Sequence, residues 1–258
     1  KILLTSVGVA ALAVSANATD FTLSGTAKVK VADDGNTSVD VSTAIGVSKT
    51  FDNGMVLSLS NNNMDNAGEL TVKSDAISVT FGDYDQNEKN PGLNGNAASA
   101  DITGDGITAA NHSNAGAISL GATVAGMGVG AAMNNDGDTM FGASFTTDMG
   151  GMAMTIGGDV HSDNTSSADE TAMGVKATIG SLVVVANSVQ KEAAAGVDVT
   201  TYSAAYTTGG LVIGFQGADN DASSYSATYT IVPGMQFEIG SLDNGTTSTS
   251  SAELQMTF

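Results

Sequence analysis

Apolar and polar residues alternate one for one along most of the chain, and this is the period of a β-strand with two unlike faces. The closing stretch SAELQMTF shows it most clearly, because every second residue is apolar: Ala252, Leu254, Met256 and Phe258. The stretch FTLSGTAKVKV repeats it from residue 21, with Lys28 and Lys30 on the polar face. Such segments are predicted to be strands that are apolar on one face and wet on the other.

Sixteen segments of the chain carry this pattern, and no helical period appears outside the first eighteen residues. They cover residues 21–31, 38–51, 55–60, 69–74, 77–82, 117–125, 128–133, 139–147, 152–160, 171–179, 182–190, 200–208, 211–217, 224–232, 235–241 and 251–258. An even number of strands suits an antiparallel sheet that closes on itself. The pattern therefore predicts an all-β protein.

The connections between these segments alternate in kind. Short turns follow the even-numbered strands: DNG, SDA, GMG, MGG, GS, TGG and PG. Longer polar stretches follow most odd-numbered strands: DDGNTS, NNNMDNAG, NNDGD, HSDNTSSADE, QKEAAAGVD, DNDASS and DNGTTSTS. The longest stretch, residues 83–116, follows the fifth strand. Short turns at one end and long loops at the other are typical of a transmembrane antiparallel β-barrel, here of about sixteen strands.

Composition agrees with tight turns and excludes several classes of function. The chain has 32 glycines and two prolines, which suits many uninterrupted strands joined by tight turns. Its net charge is -19, and all eight basic residues are lysines, so a nucleic-acid partner is excluded by repulsion from phosphate. Cysteine is absent, which excludes disulfides, thiolate metal sites and cysteine nucleophiles.

The first eighteen residues read as a secretory signal peptide. Lys1 supplies a basic start, residues 2–14 are apolar, and Ala16 and Ala18 form a small-x-small cleavage site. The alternative interpretation of this segment is a first buried helix. We therefore divide the chain into a signal peptide at 1–18 and a barrel domain at 19–258, with the mature protein beginning at Thr19.

Little in the sequence indicates catalysis or a cofactor. The two histidines, His112 and His161, fall in polar stretches far apart and are interpreted as solvated loop residues. The glycines of GMGVGAA lie in a hairpin with no following helix, so they are interpreted as turn residues and not as a phosphate loop. The clusters DDGN, NNDGD and DNDAS offer hard oxygen ligands, so external loops that bind Ca²⁺ remain an alternative to plain solvated loops. We predict no enzymatic activity and no cofactor.

The long loop after the fifth strand carries a resemblance to a known family. The stretch VTFGDYD at 79–85 resembles the strand-to-loop passage of porins from alphaproteobacteria, and the position of the loop is similar to that of the general diffusion porins of Gram-negative outer membranes. The resemblance implies a loop that folds into the barrel, a water-filled channel for passive diffusion of small hydrophilic solutes, a homotrimer and an outer-membrane location. It also implies that Phe258 is read by the outer-membrane barrel assembly machinery.

The charges at the channel constriction follow from the same resemblance. Porin constrictions set arginines opposite the infolded loop, and this chain has none, so Lys28 and Lys30 are expected to replace them. Aromatic residues are also sparse for such a barrel, at 5% with no tryptophan. The loop itself is acidic, and a preference for cations follows if it lies inside. Its candidate constriction residues are Asp83, Asp85, Glu88, Asp101 and Asp105. The alternative is a loop that stays outside as a solvated flap.

Two other functions remain open from the sequence alone. The first is a secreted or cell-surface β-rich structural protein or adhesin, whose acidic loops bind Ca²⁺ or a partner. The second is a soluble periplasmic binding protein or enzyme, against which the lack of a helical period counts. A requirement for detergent would separate the barrel from both alternatives.

Overall fold

The computed structural model describes residues 19–33, 37–61, 68–90, 113–164, 169–191 and 198–257. The predicted signal peptide and Phe258 lie outside these residues. Sixteen strands form the described chain: β1 Thr19–Ala32, β2 Thr37–Thr50, β3 Val56–Asn61, β4 Glu69–Lys73, β5 Ile77–Phe81, β6 Ile118–Val124, β7 Met127–Met133, β8 Thr139–Asp148, β9 Met152–Ser162, β10 Glu170–Ile179, β11 Leu182–Lys191, β12 Val199–Thr208, β13 Leu211–Ala218, β14 Ser223–Val232, β15 Met235–Asp243 and β16 Ser248–Thr257.

The strands form one closed antiparallel barrel. Each pairs with its sequence neighbours, and β1 closes the ring on β16, where Val29 lies opposite Leu254. The final segment SAELQMTF therefore alternates because it is the closing strand of the barrel. All sixteen predicted segments coincide with strands, which confirms the predicted fold class. Among the described residues no helix is long and apolar enough to cross a membrane.

The two faces of the barrel invert the burial of a soluble protein. Large apolar side chains lie on the outside and are exposed, as in the row of paired positions Leu59, Leu70, Phe81, Ile118 and Met133, each between 37% and 56% exposed. Polar side chains face the interior, as in the adjacent row Ser58, Thr71, Thr80 and Ser119. An apolar exterior around a polar interior is the arrangement of a barrel that stands in lipid.

The two ends of the barrel differ as predicted. At one end the even-numbered strands are followed by tight turns. Gly180 and Gly209 lie in two of these turns with a φ of 58°, a conformation that glycine adopts without steric cost. At the other end lie the longer polar connections, which include the segment between β5 and β6. The barrel thus has a short-turn end and a long-loop end, and the candidate constriction loop begins at the long-loop end.

Aromatic side chains mark both ends of the outer surface. Phe51, Tyr206, Tyr229 and Phe237 lie close to the short turns and are 41–52% exposed. Near the long loops Phe215 packs between Tyr202 and Tyr225, with ring centroids 5.8 and 5.0 Å away. Two aromatic belts flanking an apolar band are typical of membrane-spanning barrels. The band between them is the part of the surface that lipid would cover.

The inside and outside positions of one hairpin should respond differently to charge. Ile239 is central in β15 and 50% exposed on the outer face, whereas Thr228 on β14 faces the interior, where its hydroxyl donates to Glu238 at 3.2 Å. We expect Ile239→Lys to cost about 2–4 kcal/mol of folding free energy in lipid vesicles. Thr228→Lys is the control, because the lysine would face the polar interior beside the carboxylate of Glu238. Equal losses in urea titrations of the two variants would contradict the assignment of faces.

Candidate channel constriction

The segment after β5 turns into the barrel and crosses the inner face of several strands. The Nδ2 of Asn87 donates to the Oγ of Ser119 on β6 at 2.9 Å, and the Nδ2 of Asn90 donates to the Oδ1 of Asn187 on β11 at 2.6 Å. Both acceptors face the interior and are buried. Residues 83–90 therefore lie inside the barrel, and for these residues the external flap is excluded. Residues 91–112 lie outside the described part.

One carboxylate on β9 anchors the backbone of this segment. The Oδ1 of Asp159 accepts the backbone N–H of Lys89 at 2.7 Å, and its Oδ2 accepts that of Asn90 at 2.5 Å. Asp159 is 1% exposed. Hydrogen bonds from backbone N–H groups to an ionised carboxylate are stronger than hydrogen bonds between two neutral groups. Asp159 thus fixes the height at which the segment crosses the barrel.

A track of glycines lets the segment approach the wall. Gly121, Gly130 and Gly142 lie opposite one another on β6, β7 and β8, in a row that ends at Asp159. A Cβ on Gly130 would collide with the carbonyl oxygen of Asn87, and a Cβ on Gly157 would collide with that of Lys89. Backbone packs directly on backbone here, which only a residue without a side chain permits.

The start of the segment packs against apolar side chains on one side and lies near His161 on the other. Tyr84 is fully buried against Ala117, Ala132 and Met140, and its ring centroid lies 6.0 Å from that of His161. The Oε1 of Glu88 lies 3.5 Å from the Nε2 of His161. Burial, followed by the negative charges of Asp85 and other nearby acids, raises the pKa of Glu88 to about 8. Burial also lowers the pKa of Lys89.

The wall opposite the segment carries the two lysines that the sequence nominated. In a ring of sixteen strands β1 is eight strands from β9 in either direction, so Lys28 and Lys30 belong to the strand opposite the one that anchors the segment. The Nζ of Lys28 lies 3.2 Å from Glu253, and both lysines share a cavity with Glu238 and Glu253. The positive charge of this wall is therefore offset by acids on β15 and β16.

The acidic candidates fall into three groups. Asp85 and Glu88 meet beside His161. Asp83 forms the turn that begins the segment, where its Oδ1 accepts the backbone N–H groups of Asp85 and Gln86 at 2.9 and 3.0 Å. Asp101 and Asp105 lie outside the described residues, as does His112. The role of these five acids at a constriction stays a prediction.

One prediction was wrong, and several residues at the site were missed. His161 is not a solvated loop residue, because it lies on β9 with no exposed surface, in register between Met140 and Glu170. The pattern had ended the ninth strand at Val160, two residues before its end at Ser162. Gly130 lies within β7, as the predicted strand 128–133 has it, but its role beneath the segment was not recognised. A glycine inside a strand is a signal of close backbone approach, and it could have identified the track.

Two of the acidic external loops are closed by their own hydrogen bonds. The Oδ1 of Asn134 accepts the backbone N–H groups of Asp136 and Asp138, and its Nδ2 donates to the Oδ2 of Asp138 at 2.8 Å. In the second loop Asn220 accepts the N–H of Ala222 at 3.1 Å. Ca²⁺ binding by these loops stays a prediction.

The fold is that of the porins. No protein-family model matches the sequence, and no curated protein matches it. Two solved structures of substituted variants of Rhodopseudomonas blastica porin each superpose with a TM-score of 0.67 at 12% identity, over 92% of this chain and 100% of theirs. A third variant of that porin is 13% identical with the same TM-score and coverage. At this identity the likeness concerns the fold.

Proposed function

We propose that the protein is an outer-membrane channel for the passive diffusion of small hydrophilic solutes, with a preference for cations. The observation that carries this proposal is a closed sixteen-stranded barrel with a polar interior, crossed by a segment that hydrogen bonds anchor to its inner wall. A barrel of this size leaves an aqueous lumen. The exposed apolar exterior counts against a secreted adhesin with Ca²⁺-binding loops, because such a surface would aggregate in water.

The cation preference rests on the balance of charge at the crossing segment. Asp83 and Asp85 are two acids at the start of the segment, and Lys89 is the basic residue near them. Glu88 adds little negative charge at neutral pH, because burial raises its pKa to about 8. On the opposite wall the charges of Lys28 and Lys30 are offset by Glu238 and Glu253. The lumen at this level therefore carries excess negative charge, which concentrates cations and repels anions.

Planar bilayers test the channel directly. Protein extracted with detergent should insert in discrete conductance steps, and under a KCl gradient its reversal potential should have the sign of K⁺ permeation. Absence of steps from folded protein would contradict the channel. A reversal potential of the opposite sign would contradict the cation preference alone and leave the channel intact.

The lengths of the strands support assembly of several copies, which we propose to be three by resemblance. Strands β3 to β7 have five to seven residues each, whereas the other strands have eight to fourteen. A strand that crosses the hydrocarbon core alone needs about 9–11 residues. This low section of the wall is a poor surface for lipid, and packing against other copies would cover it. Recognition of Phe258 by the assembly machinery belongs to the same proposal.

Lipid access should distinguish the two sides of the barrel. Val79 and Ile213 are each the third residue of a strand that follows a short turn, on the opposite strands β5 and β13. Because the chain has no cysteine, Val79→Cys and Ile213→Cys each create a unique site for a fluorophore. A quencher attached to lipid tails should quench the label at 213 and spare that at 79. Equal quenching of the two labels, together with a monomeric mass in analytical ultracentrifugation, would contradict the proposed assembly.

A further inference from the structure

Three metal-ligating side chains meet where the crossing segment contacts β9. Asp85 and Glu88 belong to the segment, and His161 belongs to the strand. One ligand atom from each lies within 4.8 Å of the other two, and the Nε2 of His161 is 3.5 Å from the Oε1 of Glu88. Donor atoms on two separate elements thus converge on one point.

We propose that Asp85, Glu88 and His161 bind a divalent transition-metal ion of the Zn²⁺ class, which ties the segment to the wall. An imidazole nitrogen with two carboxylate oxygens is a donor set that suits Zn²⁺ and its neighbours, whereas Ca²⁺ and Mg²⁺ prefer oxygen alone. The site is distinct from the acidic external loops and from the pore-facing lysines of β1.

Burial and charge at this point both suit a bound cation. The side chains of His161 and Glu88 are 0% and 5% exposed, so the donors are shielded from bulk water. Glu170 lies beside His161 in register and is 3% exposed, which adds a further carboxylate to the surroundings. The aliphatic end of the Lys89 side chain packs over Gly128 and Gly130 on β7. A bound divalent ion would favour the ionised form of these carboxylates and offset their negative charge.

The geometry also assigns the ion a structural task. Asp159 already anchors Lys89 and Asn90, which are the last described residues of the segment, whereas the metal ligands hold its earlier part at Asp85 and Glu88. Two attachments at different points along the chain leave the intervening backbone little freedom to swing. The ion would therefore set the position of the segment, and no transport step depends on it.

Cobalt(II) is the probe for the site, because its visible absorption reports nitrogen and oxygen ligation. The folded full chain in detergent should bind one Co²⁺ ion and release it to Zn²⁺. We expect His161→Gln to weaken Co²⁺ binding at least about tenfold. His112→Gln removes the other histidine, and Asp83→Asn removes a neighbouring acid outside the cluster, so both should bind as the unchanged protein does.

Several outcomes would overturn the proposal. These are no saturable Co²⁺ binding by the unchanged protein, equal binding by His161→Gln, and weakened binding by His112→Gln with His161→Gln unaffected. Displacement of Co²⁺ by an equal concentration of Ca²⁺ would identify a hard-cation site and would likewise reject the Zn²⁺ class. If His161→Gln does not fold, Asp85→Asn and Glu88→Gln decide, since both change the segment and leave the barrel wall intact. Binding unchanged in both would overturn the assignment.

Discussion

Replacement of Asp159 by alanine is expected to release Lys89 and Asn90, the last described residues of the segment, from the inner wall of the barrel. The carboxylate accepts two backbone N–H groups in a buried place, and its loss leaves both donors without their charged acceptor. Each such loss costs about 1–3 kcal/mol. Near this end of the segment, the hydrogen bonds from Asn87 to Ser119 and from Asn90 to Asn187 are neutral and contribute less. The backbone around Lys89 and Asn90 should then sample undocked positions, while Tyr84 and the barrel stay in place.

Trypsin gives a sharp readout of this release. The chain has eight lysines and no arginine, so cleavage sites are few, and the bond after Lys89 is one of them. In the unchanged protein that bond should resist trypsin, because a protease needs a locally extended and mobile backbone. In Asp159→Ala it should be cut, and single-channel recordings should show conductance that differs from that of the unchanged channel.

The control is the same type of substitution, Asp to Ala, at a position far from the segment. Asp148 accepts the N–H of Gly151 at 3.1 Å in an exposed short turn, so Asp148→Ala removes a comparable bond at the other end of the barrel. It should leave both trypsin resistance at Lys89 and conductance unchanged. Resistance in Asp159→Ala equal to that of the control would show that Asp159 does not anchor the segment.

Neutralisation of the acids in the loop should abolish most of the cation preference. The variant carries asparagine at Asp83, Asp85, Asp101 and Asp105, whereas Glu88 is kept because it packs against His161. Asparagine preserves the Oδ1 acceptor with which Asp83 forms its turn. The ratio of cation to anion permeability should fall towards one, because the charge removed is the excess that the opposite wall does not offset. The measurement is the reversal potential across a salt gradient.

Screening separates charges inside the lumen from charges outside it. The Debye length is about 8 Å at 0.15 M salt and about 3 Å at 1 M, so acids on external loops lose their influence quickly. The matched control changes four exposed acids of the external loops to asparagine, namely Asp33, Asp219, Asp221 and Asp243. This control should lower selectivity slightly at low salt and not at 1 M. Equal effects of the two variants would place the loop acids outside the constriction.

Both sets of recordings are best made with EDTA present. Asp85 is one of the acids changed, and it is also one of the three proposed metal ligands. Removal of free transition metal ensures that a change in selectivity reports the loss of charge and not the loss of a bound ion. A selectivity change that appeared only without EDTA would assign the effect to the metal site.

The sequence by itself determined the strands, their number and the two unlike ends of the barrel. Each of these depends on local rules: side chains alternate across a strand, and glycine-rich turns close hairpins. The end of β9 marks the limit of such rules. His161 stands in a polar stretch, and only the pairing of β9 with β8 and β10 places it inside, between Met140 and Glu170.

Only the tertiary structure decided which residues meet at the candidate constriction. Asp159 and Lys89 are 70 residues apart in sequence, and they meet because the segment after β5 crosses the barrel as far as β11. A glycine within a strand signals that some backbone approaches closely, but only the structure shows that Gly130 and Gly157 are covered by the backbone of this segment. Lys28 and Lys30 could be predicted from the sequence as candidates. Their position opposite β9 and the nearby Glu238 and Glu253 follow from closure of the barrel. Local alternation specifies a face for each side chain, whereas contacts across the lumen depend on how the whole sheet closes.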